Sequence, residues 1–256
     1  MTAPRWTRSQ LKLAFYLYCQ LPFGKLHQRN PEVVKLAREI GRTPSAVAMK
    51  LVNFASLDPA IRASGRTGLQ GASNADREIW QEFRANWEEL ALECARMRQE
   101  FAGAPGSEAE PEDAGALPDD FTGETRRAWA ELRVKQQFFR CAVLSSYGTT
   151  CCMSGTSEPE LLIASHIVPW SEDKANRLNP CNGLCLSAIH DRAFDRGLIT
   201  VTDDYTVVVS ESLLSRGGDF VHGVFAPLAG RRITLPERFS PDREFLGWHR
   251  ARRFVG

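Results

Sequence analysis

Between Leu161 and Ile199 the sequence reads LLIASHIVPWSEDKANRLNPCNGLCLSAIHDRAFDRGLI, bringing His166, Asn182, His190, Asp191 and Asp195 into one short stretch. Imidazole titrates near neutrality, so a histidine can accept a proton from water or, when neutral, ligate a metal. Carboxylates supply hard oxygen ligands for a divalent cation. Asparagine carries both a donor and acceptors and suits the pinning of a backbone loop. Such a set fits hydrolysis by an activated water with help from a bound cation.

The surrounding residues say how these groups are held. Leu161–Ile167 is an apolar strand with His166 near its end, and Pro169-Trp170 stops it. Ser171–Pro180 is a polar loop, and Leu184–Leu186 forms a short second strand. Ser187 has the chemistry to cap a helix that contains His190 and Asp195. The order strand, loop, strand, helix is a ββα unit over residues 161–197.

A helix over Glu124–Tyr147 precedes the unit, with Trp129, Leu132, Phe139 and Val143 as its buried stripe. Arg126, Arg133, Gln137 and Arg140 share another face, suited to phosphate as well as to plain solvation. After Asp195, GLITVTDDYTVVVS reads as a hairpin, and the tail adds a short strand and a basic helix or turn. Arg192 and Arg196 read as surface residues, with phosphate contact the lesser reading.

The first 100 residues read as helical. Val34, Leu36, Ala37 and Ile40 mark one amphipathic helix that ends at Gly41. Thr43 then caps a second, with Pro44 at its first position and Val47, Leu51 and Phe54 on its apolar face. This has the shape of a helix-turn-helix, which places Ser45, Lys50 and Asn53 outward, within reach of phosphates or base edges. A plain helical hairpin with a solvated face fits the same pattern. A further helix is expected from Asn74 to Arg98, with Ile79, Trp80, Phe83, Trp87 and Leu90 inward.

Residues 101–124 carry seven acids and no base, and the AGAPGSEAEPEDAGALPDD run within them has almost no large apolar side chain. Such a segment reads as a flexible linker. The fold class is therefore α+β: a helical domain over 1–100, an acidic linker, and a domain over 125–256 built around the ββα core.

The net charge of +1 is a poor guide, because the linker masks a surplus of +5 before it and +3 after it. Of the 32 basic residues most are arginine, whose planar fork suits phosphate. The seven cysteines are odd in number and irregularly spaced, which fits reduced thiols and a cytoplasmic location better than a disulfide framework. Cys151, Cys152, Cys181 and Cys185 lack the paired C-x-x-C spacing of a structural zinc site. No apolar run is long enough for a membrane span.

The motif segment resembles HNH endonucleases, specifically a bacterial restriction- or defence-type subgroup. The likeness rests on Ala164-Ser165-His166-Ile167, Pro169-Trp170, Asn179-Pro180, Asn182-Gly183-Leu184, Leu186, His190-Asp191, Ala193-Phe194-Asp195 and Gly197-Leu198. It extends over most of residues 125–256, and the N-terminal block resembles modules found ahead of such domains.

This resemblance implies phosphodiester hydrolysis on double-stranded DNA. His166 would be the general base, Asn182 would hold the loop that aims it, and His190 would ligate one divalent metal, Mg²⁺ first with Mn²⁺, Ni²⁺ or Zn²⁺ as substitutes. Two positions depart from the common pattern: Ser165 stands where many members place a ligand, and Phe194 where many place a second histidine. Asp195 is the replacement ligand expected here, with Asp191 behind it. Arg133, Gln137, Arg140, Lys50 and Asn53 would contact DNA. One such site cuts one strand, so a homodimer is expected. The alternative is a DNA-binding regulator whose nuclease domain is degenerate.

Overall fold

A computed structural model describes residues 5–65, 71–102 and 123–256 of the chain. The acidic linker expected over 101–124 lies outside these residues except for its ends. The described chain is mostly helical, with two small sheets of two strands each.

The helices of the first block are α1 (Arg8–Gln20), α2 (Pro31–Glu39), α3 (Pro44–Ala55), α4 (Pro59–Ala63), α5 (Asn74–Ala85) and α6 (Trp87–Ala102). Thr7 and Gln10 form a capping box that starts α1. Every residue of α1 from Leu11 to Cys19 is buried, so this helix runs through the middle of the block, packed on α3, α5, α6 and the later α7. Phe15 is ringed by Phe54, Trp80, Phe83 and Trp87 at centroid distances of 5.0, 5.3, 4.6 and 6.2 Å. The start of α3 follows the sequence cues: Thr43 Oγ1 accepts from the Ala46 N–H, Pro44 is the first helical residue, and Gly41 ends the turn before it at φ 65°.

Two expectations for this block are corrected. Asn74 to Arg98 is not one helix, because Asn86 leaves helical geometry at φ −152° and its Oδ1 caps α6 by accepting from the Glu89 N–H. Nor do Lys50 and Asn53 face outward. Both are buried, because α5 covers that side of α3, and the Lys50 ammonium donates to both Asp76 oxygens at 2.9 and 3.0 Å.

The second block comprises α7 (Gly123–Ser146), β1 (Leu162–His166), β2 (Gly183–Ser187), α8 (Ala188–Asp195), β3 (Ile199–Val201), β4 (Val207–Val209), α9 (Glu211–Arg216), α10 (Gly218–Phe225) and α11 (Arg243–Arg252). Strands β1 and β2 pair antiparallel, with His166 opposite Gly183 and Leu162 opposite Ser187. Helix α8 follows β2 without a loop and packs on both strands. The expected hairpin is β3–β4, with Ile199 opposite Val209.

The buried stripe of α7 differs from its expected form at one end. Phe138, Phe139, Ala142 and Val143 are buried, but Trp129 is 42% exposed. Phe138 stacks on Tyr16 of α1 at 5.1 Å, so the two blocks share one continuous apolar core. A polar knot lies in the same seam. The Arg238 guanidinium, fully buried, donates to the Tyr18 carbonyl and to Ser145 Oγ, while Asp58 accepts from the Tyr18 hydroxyl and the Phe239 N–H.

Candidate active site

Three elements hold His166. It ends β1, its ring stacks face to face on Phe139 of α7 (3.8 Å, 9°), and Trp170 meets its edge at 5.6 Å. Its Nε2 lies 2.9 Å from the Arg177 carbonyl, an acceptor with no proton to give. Nε2 is therefore the protonated nitrogen and Nδ1 carries the lone pair. No hydrogen bond occupies Nδ1 among the described residues. Burial holds the imidazole below its ordinary pKa, against an opposing effect of the Arg177 carbonyl, so the ring is neutral at neutral pH. A neutral imidazole with one free, aimed nitrogen can take a proton from water.

The loop that carries the Arg177 carbonyl is tied down by Asn182, which is fully buried. Its Oδ1 accepts from the Val168 N–H at 2.8 Å, and its Nδ2 donates to the Val168 and Asn176 carbonyls at 3.0 and 3.3 Å. The backbone helps, with the Ile167 N–H donating to the Asn182 carbonyl at 3.0 Å. Gly183 next to it lets α7 approach: a Cβ there would stand 2.4 Å from Val143 Cγ2 and 3.1 Å from Phe139 Cζ. A side chain at 183 would thus push away the helix that carries the ring under His166.

Helix α8 presents two unlike faces to this site. His190 is on the inner one, only 3% exposed, with Nδ1 2.9 Å from Ser187 Oγ and 3.6 Å from Cys151 Sγ, and Phe225 against its ring edge. Its Nε2 is buried without a hydrogen-bond partner. The Ser187 hydroxyl thus serves His190 rather than capping the helix as its type suggests. Cys151 Sγ also accepts from the Ser187 and Ser154 N–H groups at 3.2 and 3.4 Å. Burial raises this thiol, but the hydrogen bonds from His190, Ser154 and nearby backbone outweigh it and bring the pKa down to about 6.

Asp191 and Asp195 occupy the other face, four residues apart and so aligned along the helix. Burial raises the pKa of Asp191, offset in part by the Ser165 hydroxyl and Arg192. Asp195 is raised first by partial burial and then by Asp191, with Arg192, Arg253 and Arg196 opposing. The Ser165 Oγ is buried without a hydrogen-bond partner of normal geometry, next in sequence to His166. His190 and Asp195, the pair expected to share a cation, stand roughly 140° apart around α8 and have no common partner. Among the described residues, no group of three or more His, Cys, Asp or Glu is arranged to hold a metal.

The remaining expected residues are dispersed. Arg140 donates from Nη1 to the Leu162 carbonyl at 2.8 Å and from Nη2 to that of Pro159 at 3.3 Å, fastening α7 to the start of β1. Gln137 is exposed and Arg133 half-buried on α7, whereas Lys50 and Asn53 are buried in the first block. Phe194, in the place of a second histidine, is fully buried and stacks on His249 at 3.7 Å. The Ser165 side of the site meets Asp191, whose four-residue spacing from Asp195 is the one local signal for this pair. Phe139 under His166 is a contact between distant segments and has no local signal.

No described helix is long and apolar enough to cross a membrane. No curated protein matches the chain. Residues 151–202, which span β1, β2, α8 and β3, match the family model of HNH endonucleases, a likeness that points to nuclease chemistry on DNA.

Proposed function

We propose that the chain is a metal-dependent endonuclease of double-stranded DNA, acting in the cytoplasm as a homodimer in restriction or defence against foreign DNA. The observation that carries the chemistry is His166: a neutral ring stacked on Phe139, its Nε2–H held by the Arg177 carbonyl and its Nδ1 free. In this reading β1, β2 and α8 are a ββα nuclease core. His166 Nδ1 takes the proton of the attacking water, and Asn182 keeps the loop, and with it the ring, in place.

The residues present fit a divalent cation on the outer face of α8. The Asp191 charge adds to burial in raising the pKa of Asp195, and the Ser165 hydroxyl adds a neutral oxygen beside Asp191. A hard cation such as Mg²⁺, with Mn²⁺, Ni²⁺ or Zn²⁺ as substitutes, would neutralise charge on the phosphate and the departing oxygen. His190, with Nδ1 engaged by Ser187 and Cys151, is better explained as the inner anchor of α8. Gln137 and Arg133 on α7 remain accessible to DNA, as the buried Lys50 and Asn53 do not, while the guanidinium of Arg140, an exposed residue, is engaged by the Leu162 and Pro159 carbonyls.

Purified protein should nick or cut plasmid DNA with Mg²⁺, Mn²⁺ or Ni²⁺ and stop on addition of EDTA. His166→Ala should lose about three orders of magnitude in cutting rate while still binding DNA. Asp191→Asn should cost at least tenfold more than His190→Asn once both are normalised to the folded fraction. Wild-type protein inert with every divalent metal, modified DNA included, would refute the enzyme reading and favour a DNA-binding regulator with a degenerate nuclease core.

A further inference from the structure

We propose that Arg192, Arg196 and Arg253 form a phosphate-binding ridge that holds the DNA backbone beside the His166 site. The proposal rests on the endonuclease reading above for its ligand, but on separate residues for its evidence.

Arg192 and Arg196 are exposed and four residues apart at the end of α8, so they share a face with the Asp191–Asp195 side of the helix. Arg253 reaches the same place from the end of α11. The chain crosses there at contact distance: the Val255 N–H donates to the Gly197 carbonyl at 2.9 Å, and a Cβ on Gly197 would lie 1.9 Å from the Arg253 carbonyl oxygen. Gly197, at φ 68°, supplies both the turn that ends α8 and the room for this crossing. All three guanidiniums act on the Asp195 carboxyl, and Arg192 acts on Asp191 as well.

What sets them apart is convergence from two helices on one carboxyl. Among the described residues none of the three guanidiniums makes a hydrogen bond or an ion pair within bonding distance, so their forks are available to a ligand. Arginines at a helix C-terminus also complement its dipole, an effect confined to the last turn. That effect explains Arg196 but gives no reason for a second helix to bring Arg253 to the same spot. A guanidinium fork binds phosphate oxygens in pairs, and three forks around one point follow a polyanion better than a single small anion. With the two carboxylates the cluster carries +1; a divalent cation on those carboxylates raises it to +3.

The test measures binding to a short DNA duplex in Mg²⁺, in a His166→Ala background so that no cutting intervenes, between about 50 and 200 mM salt. Arg192→Gln/Arg196→Gln/Arg253→Gln should lower the slope of log affinity against log salt by about two to three, and Arg192→Gln alone by about one. Arg29→Gln/Arg38→Gln/Arg62→Gln, three exposed arginines of the first block, should leave the slope unchanged. An unchanged slope in the first triple variant, or an equal fall in the second, overturns the ridge. If the slopes behave as expected but wild-type protein never cuts DNA with any divalent metal, the ridge stands and the endonuclease reading fails.

Discussion

The first helical block and the β1–β2–α8 unit treat their polar groups in opposite ways. In the first block the two buried ammonium groups are matched: Lys50 with both oxygens of Asp76, and Lys12 with Glu82 and Glu93. In the second unit the accounts stay open. His166 Nδ1 is free, Ser165 Oγ and His190 Nε2 are buried without partners, and the arginines around Asp195 have no bonded carboxylate. Burying a polar group without a partner costs about 1–3 kcal/mol, so such groups persist where a ligand or a reaction uses them. Glu39 Oε2, Tyr147 Oη and Arg238 Nε are also buried without hydrogen bonds, so it is the gathering of open polar atoms within β1, β2 and α8, not the lack of a partner by itself, that marks the site.

Three experiments would break or sharpen that contrast. The largest effect is expected for Lys50→Met, which leaves Asp76 buried and unpaired and should cost about 3–5 kcal/mol of stability in a denaturant melt. The salt dependence of DNA binding should not change; a drop would return Lys50 to the DNA interface.

A smaller effect concerns His249. Its Nε2 donates to the Phe194 carbonyl and its Nδ1 accepts from Thr200 Oγ1, and burial, the largest influence, lowers its pKa from 6.5 to about 4. Because the unfolded ring binds the proton more readily, folding stability is undiminished above pH 6.5 and falls as pH drops towards 4, by about 3 kcal/mol over the window. His249→Gln should be less stable at pH 7.5 yet lose less on acidification. Parallel pH curves for the two proteins would count against it.

The smallest is Arg133→Gln on α7, expected within about 0.5 kcal/mol in stability but lowering the salt slope by about one. No change in slope would confine DNA contact to the Asp195 side.

What the sequence disclosed depended on how local each feature is. The turn at Gly41–Pro44, the strand ending in His166, the position of Asn182 and the β3–β4 hairpin all follow from residues within a few positions of one another. Which face of a helix is covered does not. The burial of Lys50 is decided by α5, and the division of α8 into a His190 face and an Asp191 face by Cys151 and Ser165 from elsewhere. Asn86 was legible in principle, as a capping residue inside an acidic helical run, but helical periodicity across it hid the break.

The position of α7 limits how this protein can be recombined. One side of that helix carries Phe139 against His166, while the adjoining Phe138 lies on Tyr16 and Ser145 donates to the Cys19 carbonyl. A chimera that grafted residues 125–256 onto a foreign leader would strip apolar cover from the helix that steadies the imidazole. Exchange of targeting modules, by an engineer or by evolution, would have to carry along a surrogate for α1.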